Sequence, residues 1–314
     1  MGNIVLGKNL EVKPLCIGTW AWGDKLFWDY GNKYGEAELE AAFKIAIEAG
    51  VEFFDTAEVY GLGLSEKLLS KFINKTDKPV QIATKYGPLP WRINGKSVSD
   101  ALTQSLKRLK RDKVELYQVH WPFAFFMSQE TLMNALADEV ERGRIMTVGV
   151  SNYSAEQMTE AHNLLAKRGI PLAVNQVRYS LLSRQIESTG IYGRAKELEI
   201  TLLAYSPLAQ GLLTGKYSSD ATQTPTGARK IDPRFSPEGL QKIEPVIFLL
   251  QNIANKNNRT PAQVALNWLI TKGNVIPIAG AKTASQVQQN IGCLDWNLNQ
   301  EEMNSLDEAS LAWL

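Results

Sequence analysis

The chain reads as an α/β protein, a single (β/α)8 TIM barrel over residues 1–314 with an N-terminal β-hairpin. Three observations lead there. Eight short apolar runs alternate with amphipathic stretches, the rhythm of repeated strand–helix units. The runs are too short and too continuously apolar for half-exposed antiparallel strands, and they suit a parallel sheet covered on both faces. The length of 314 residues holds eight such units, and barrels of this kind commonly run to about 250 residues or more as one domain. A doubly wound sheet is the alternative architecture.

Taken in order, residues 3–13, NIVLGKNLEVK, form a hairpin turning at Gly7-Lys8-Asn9. The strand candidates are PLCIGT (14–19), VEFFDTA (51–57), VQIATK (80–85), VELYQVHW (114–121), IMTVGVSN (145–152), LAVNQV (172–177), ITLLAYS (200–206) and NVIPIAG (274–280). Between them, EAELEAAFKIAIEAG (36–50) sets Leu39, Ala42, Phe43, Ala46 and Ile47 on one helical face, and Gly50 supplies the stop. Ser99 is the expected N-cap of a helix striped by Leu102, Leu106 and Leu109. The run KRLKRDK (107–113) is expected as its solvated C-terminal turn, where cations suit the helix dipole. Pro261 after Thr260 marks a first helical position. Two long loops remain, Trp20 to Gly35 and Leu208 to Ser236.

Composition excludes several classes of function. With 34 basic and 33 acidic residues the net charge is +1, so no global field favours nucleic acid or membrane. Cys16 and Cys293 are far apart, which argues against a disulfide framework and fits a reducing compartment. MGNIVLGKNL lacks the basic-then-apolar order of a secretory signal, and Leu6 stands where a myristoylation signal wants Ser or Thr. No apolar run reaches the roughly 18 residues of a membrane span. A cytoplasmic monomer acting on a small molecule is the expectation. The chain has two histidines, His120 and His162, so a multi-histidine metal site is excluded and no metal is expected. No G-x-S-x-G elbow points to serine hydrolysis.

Barrel chemistry sits at the C-terminal ends of the strands. There the sequence places Asp55 with Tyr60 just beyond, Lys85, His120, Ser151-Asn152, Gln176 and Tyr205-Ser206. Polar side chains after apolar strand bodies make poor core filling, and their convergence on one face argues for a site. The set can serve a carbonyl that accepts hydride. A tyrosine of ordinary pKa about 10 needs a cation to act as acid or base. Lys85 can supply it, Asp55 can hold the lysine, and His120 can orient the substrate oxygen. Two other patterns carry less. GLGLSE (61–66) has Glu66 where a dinucleotide fingerprint needs glycine, and Tyr192-x-x-x-Lys196 lacks a preceding Gly-rich strand–helix turn.

FFDTAEVYG (53–61), ATKYG (83–87), YQVHW (117–121), GVSNY (149–153), NQVRYSLL (175–182), AYSPLAQGLLTGKY (204–217) and PIAGAKTASQVQQN (277–290) stand in the order of the aldo-keto reductases, which the chain resembles from Gly18 onward. The resemblance implies NADPH as cofactor, a carbonyl substrate, and Tyr60 as proton donor with Asp55, Lys85 and His120 as partners. It further implies that Ser151, Asn152 and Gln176 hold the carboxamide and that Tyr205 stacks on the nicotinamide. Ser206, Leu208 and Gly211 would lie at the pyrophosphate, and Lys282, Thr283, Gln286 and Asn290 at the adenosine phosphate. Gly18, Thr19, Trp20 and Gly280 belong to the same implied cofactor set. Gln286 stands where much of the family has an arginine on the 2′-phosphate, so NADPH preference is expected to be moderate.

The mouth loops are rich in rings: Trp20, Trp22, Phe27, Trp28, Tyr30 and Tyr34, then Trp91, then Trp121, Phe123, Phe125 and Phe126. Trp22, Trp28, Trp91 and Trp121 are the expected substrate contacts, for flat aromatic or heteroaromatic aldehydes. The segment AYSPLAQGLLTGKY also resembles the potassium-channel β subunits, which share the tetrad but act as regulators. A hairpin beginning at residue 3 leaves no N-terminal extension to act on a channel, so the enzyme is the expected function.

Overall fold

A computed structural model describes residues 2–122, 126–217 and 232–314. Phe123, Phe125 and residues 218–231 of the loop expected between Leu208 and Ser236 lie outside the described residues.

Two strands, β1 (Ile4–Leu6) and β2 (Leu10–Val12), pair antiparallel as the expected hairpin. Eight parallel strands then close into a barrel: β3 (Cys16–Gly18), β4 (Phe53–Asp55), β5 (Gln81–Tyr86), β6 (Val114–Val119), β7 (Ile145–Ser151), β8 (Leu172–Arg178), β9 (Thr201–Tyr205) and β10 (Val275–Gly280). Neighbours in sequence are neighbours in the barrel, and β10 returns to pair with β3. All eight coincide with the apolar runs read from the sequence. The hairpin closes the N-terminal end. Leu6, Leu10 and Val12 join Cys16, Phe53 and Leu116 in the barrel interior, and Lys8 Nζ donates to the Gly169 carbonyl at 2.8 Å. Gly7 has φ 61°, and a Cβ there would stand 2.6 Å from Thr147 Oγ1, so only glycine lets the turn sit against the barrel.

The outer layer includes α1 (Glu36–Glu48), α2 (Leu64–Ile73), α3 (Gly95–Leu109), α4 (Gln129–Glu141), α5 (Ala155–Ala166), α6 (Gln185–Ser188), α7 (Ile191–Glu197), α8 (Pro237–Asn257), α9 (Pro261–Thr271), α10 (Ala284–Ile291) and α11 (Gln300–Ala309). The apolar stripe of α1 packs as expected: Leu39, Ala42, Phe43, Ala46 and Ile47 are all buried. Phe43 meets Phe54 and Phe72 with ring centroids 5.1 and 5.9 Å apart; such pairs add about 0.5–1.5 kcal/mol beyond their burial. α9 starts at Pro261 behind a Thr260 cap.

Two helix-end expectations are corrected. α3 begins four residues before Ser99, because Asn94 is extended and its side chain accepts the Ser97 amide; Ser99 Oγ instead accepts from Arg144 Nη2 at 2.8 Å. The basic run is also not wholly solvated. Arg108 turns inward and donates from Nε to Glu66 Oε2 at 2.5 Å, while Thr84 Oγ1 donates to Glu66 Oε1 at 2.7 Å. Glu66 is fully buried, which accounts for a glutamate where a dinucleotide fingerprint would need glycine. Tyr192 packs on Tyr179 and Lys196 is exposed, both on α7, outside the barrel.

Removing one partner of a buried ion pair leaves an uncompensated charge. Arg108→Ala should therefore lower unfolding free energy by roughly 3 kcal/mol, and adding Glu66→Gln should recover part of the loss. Urea titrations of the single and double variants check this, and an Arg108→Ala effect of a few tenths would contradict it.

Candidate active site

A polar layer caps the apolar barrel interior, and strand alternation builds it. Two residues above Phe53, Ala83, Leu116 and Val174, on the same inward face, come Asp55, Lys85, Gln118 and Gln176. Lys85 is fully buried and its ammonium has three partners: Asp55 Oδ2 at 2.6 Å, the Thr56 carbonyl at 2.8 Å and Tyr60 Oη at 3.1 Å. The other carboxylate oxygen, Asp55 Oδ1, accepts from Gln176 Nε2 at 2.8 Å and Gln118 Nε2 at 3.2 Å. Tyr60 opens a tight turn, Tyr60–Gly63, in which Gly61 and Leu62 both have φ 54°. Gly61 must be glycine there, since a Cβ would lie 2.8 Å from the Gly23 carbonyl oxygen. The loops after β3 and β4 thus touch backbone to backbone.

Electrostatics follow from this burial. Desolvation holds the Tyr60 phenol above its ordinary pKa even though Lys85 pulls it down, so the hydroxyl keeps its proton at neutral pH. Burial opposes the Lys85 charge, but Asp55 and Tyr60 outweigh it and hold the ammonium protonated. His120 lies face to face on Trp121, centroids 3.9 Å apart, and edge-on to Tyr60 at 5.8 Å. Desolvation, with Lys85 nearby, pushes its pKa down to about 2, and its Nδ1 is buried with no hydrogen-bond partner among the described residues. The four expected catalytic residues therefore meet at one point.

The implied cofactor residues occupy an arc from β7 to α10. Asn152, at φ 61°, has its amide Nδ2 3.0 Å from Ser151 Oγ, and its Oδ1 accepts from Tyr205 Oη at 3.0 Å. Ser151 Oγ donates to the Gln176 carbonyl at 2.8 Å. After β9 the chain makes a run of left-handed residues, Ser206, Ala209, Gln210 and Gly211, with Leu208 half-buried between them. Gly18 pairs with Gly280 across β3 and β10, which keeps that edge free of side chains. At the end of the arc, Thr283 caps α10 by accepting the Gln286 amide at 3.3 Å. Gln286 Oε1 accepts the Lys282 amide at 2.7 Å, so that N–H is already occupied. Asn290 is buried, and its Nδ2 has no partner among the described residues.

The rings divide differently from expectation. Trp22 is fully buried; its indole N–H donates to the Ala281 carbonyl at 2.9 Å and its ring packs on Phe54 and Phe72. It has no face to offer a substrate, and that expectation is corrected. Trp20, grouped with the cofactor set, is 43% exposed with its ring 6.4 Å from Tyr60. Trp28 stands edge-on to Trp20 at 5.4 Å, Trp91 is exposed, and Trp121 backs His120. Thr19 is buried, its hydroxyl donating to the Asp55 carbonyl at 2.9 Å. Sequence reading missed Gln118, the Thr56 carbonyl, and the Glu58–Arg92 pair that pins the Trp91 loop through the Gly87 amide. Gln118 had a signal: it stands two residues before His120 in the run VELYQVHW, read as one strand, and so on the same face.

This geometry can be set beside known proteins. The model of the aldo/keto reductase family matches residues 14–311. The chain belongs to this family. Among its relatives is the chloroplastic pyridoxal reductase of Arabidopsis thaliana, 40% identical over 313 residues, covering 96% of this chain and 84% of the plant protein. The solved glycerol dehydrogenase of Gluconobacter oxydans superposes with a TM-score of 0.87 at 27% identity, covering 99% of this chain and 96% of that one. A Klebsiella pneumoniae aldo/keto reductase, solved with NADP and acetate, superposes with a TM-score of 0.76 at 28% identity, covering 98% and 94%. The chain is thus an aldo/keto reductase of the oxidoreductase class, and among its described residues no helix is long and apolar enough to cross a membrane.

His120 offers a direct check. A histidine neutral when folded takes up protons only in the unfolded chain between pH about 6.5 and its depressed folded value of about 2. Its contribution is complete above about pH 6.5 and declines with each unit of acid below that. The His120 ring resonances should stay unshifted from pH 8 to pH 5 by NMR, and a midpoint near 6.5 would contradict the burial argument.

Proposed function

We propose that this aldo/keto reductase is an NADPH-dependent carbonyl reductase of the alcohol dehydrogenase (NADP+) type, acting on aromatic or heteroaromatic aldehydes with Tyr60 as the proton donor. The observation that carries the reading is the Lys85 ammonium, 3.1 Å from Tyr60 Oη and 2.6 Å from Asp55. NADPH fits the residues present. The buried Asn290 Nδ2, without a partner among the described residues, suits an adenosine-end acceptor, Lys282 and the Thr283 hydroxyl suit a 2′-phosphate, and Tyr205 beside Asn152 suits the nicotinamide end. When bound, NADPH supplies the hydride that the carbonyl carbon accepts.

The chain's own residues do the rest. Tyr60 holds its proton at rest because burial raises its pKa, and it gives that proton to the substrate oxygen as charge develops there. The phenolate left behind faces the Lys85 ammonium directly, which makes the transfer feasible at neutral pH. Asp55 keeps that ammonium charged in a site too dry to hold a lone cation. Neutral His120, fixed flat on Trp121, hydrogen-bonds the substrate oxygen and orients it without competing as an acid. The substrate class rests on Trp20, Phe27, Trp91 and Phe126, all exposed on mouth loops, and on the pyridoxal reductase relative. Two free, buried cysteines support a reducing compartment.

Steady-state reduction of a nitrobenzaldehyde should give a higher kcat/KM than glucose. Tyr60→Phe should cut turnover by about 10² to 10⁴-fold while NADPH still quenches protein fluorescence as in wild type, and Lys85→Met should be at least as damaging. A Tyr60→Phe enzyme with over half of wild-type turnover would exclude the proton-donor role.

Coenzyme choice is tested separately. NADPH should be preferred to NADH, but moderately, because Gln286 replaces a charge-assisted contact worth roughly 1.5 to 3 kcal/mol. Lys282→Ala should raise KM for NADPH well above its effect on NADH; equal effects on both would place the 2′-phosphate elsewhere.

A further inference from the structure

The loop Trp20–Gly35, which carries substrate-side rings, is fastened to the coenzyme end of the barrel at two adjacent residues. Trp22, fully buried, donates its indole N–H to the carbonyl of Ala281 at 2.9 Å. The next residue, Lys282, lays its ammonium over two rings of the same loop: Nζ is 5.2 Å from the Trp28 centroid and 4.9 Å from that of Tyr34. Neither ring is free to drift. Tyr34 is buried, its hydroxyl donates to the Ala21 carbonyl, and its ring meets Tyr30 edge-on at 5.8 Å. Trp28 stands against Trp20 at 5.4 Å. A ring face attracts a cation without transferring a proton to or from it or removing its charge. Two such faces therefore help to hold the Lys282 charge beside the N-terminus of α10, where the Asp29 carboxylate of the same loop also interacts with it. A lysine side chain otherwise carries rotamer entropy, part of which ordering on a ligand must overcome.

We infer that Trp28 and Tyr34 are positioning residues for coenzyme selectivity: they pre-orient Lys282 for the 2′-phosphate of NADPH, so a loop on the substrate side helps set the preference for NADPH over NADH. This rests on the assignment of Lys282 to the 2′-phosphate given above. It differs from a direct contact: the Tyr34 hydroxyl is already committed to Ala21, and Trp28→Phe, which keeps a ring but lacks the indole N–H, separates a ring face from a donor.

Calorimetric titration of the full-length protein with adenosine 2′,5′-bisphosphate and with 5′-ADP separates the possibilities, because the ligands differ in the phosphate at the 2′ position and no turnover is involved. Wild type should bind the bisphosphate more tightly than 5′-ADP. Trp28→Leu should weaken the bisphosphate by about three- to fivefold, the size of a partly exposed cation–π contact, and leave 5′-ADP unchanged, which also reports that the site is folded. Trp28→Phe keeps a ring under the ammonium and should restore most of the bisphosphate affinity. If wild type shows no preference for the bisphosphate, the phosphate assignment of Lys282 falls and the inference with it. If wild type shows the preference but Trp28→Leu keeps it, or weakens both ligands equally, or Trp28→Phe binds like Trp28→Leu, the rings do not position Lys282 and the inference alone is overturned.

Discussion

The Lys85–Asp55 pair is the constraint on which the mouth of the barrel depends. Both side chains are almost wholly withdrawn from water, at 0% and 4% exposure. Isolated charges so placed would each cost several kcal/mol, and their attraction compensates only if the remaining donors and acceptors are filled. Here they are filled. The three ammonium donors meet Asp55, the Thr56 carbonyl and Tyr60, and the carboxylate also accepts from Gln118 and Gln176. Satisfying this pair takes residues from β4, β5, β6 and β8. The register that sets Lys85 beside Gln118 and Ser151 beside Gln176 is therefore as much a requirement of the ion pair as of the sheet.

That requirement explains how the surrounding loops are built. Tyr60 reaches Lys85 only because the chain after β4 turns sharply, with consecutive left-handed residues Gly61, Leu62 and Gly63. Leu62 is a branched residue in that conformation, at a cost on the order of 1 kcal/mol, and its side chain is 94% exposed, so packing does not repay it. The turn it belongs to is what brings Tyr60 within reach of Lys85. Asn152 and the run from Ser206 to Gly211 repeat the pattern after β7 and β9. At the opposite end the hairpin plugs the barrel with Leu6, Leu10 and Val12, so one end is apolar and closed while the other is polar and open. Loops on the open side lock to one another through Trp22–Ala281 and Glu58–Arg92, and the chemistry is held by strand ends and braced by side chains.

Much of this was legible in the chain, for reasons that differ by residue. Strand runs were readable because parallel barrel strands are buried on both faces and carry no alternation to blur them. Asp55, Lys85 and His120 stood out as polar residues closing apolar runs. Gln118 was hidden, although alternation from His120 places it inward, because a glutamine inside a strand bears no mark of what it binds. Trp20 and Trp22 show the limit most clearly. Two residues apart in one loop, they are equivalent in composition, yet one ring faces Tyr60 and the other is sealed between Phe54 and Phe72. Ser99 and Asn94 are both good caps, and the extended backbone at Asn94 decided between them.

By itself, the sequence determined the eightfold alternation, the closing hairpin, the polar residues at the strand ends and the family. These are properties of local pattern: apolar periodicity, turn residues and motif order act within a few residues of chain. Tertiary structure alone decided which rings face solvent, that Arg108 turns in to a buried Glu66, that Lys282 lies between Trp28 and Tyr34, and that burial outweighs Lys85 in setting the proton affinity of Tyr60. Those outcomes depend on desolvation and on contacts between residues dozens to hundreds of positions apart, which no local pattern encodes.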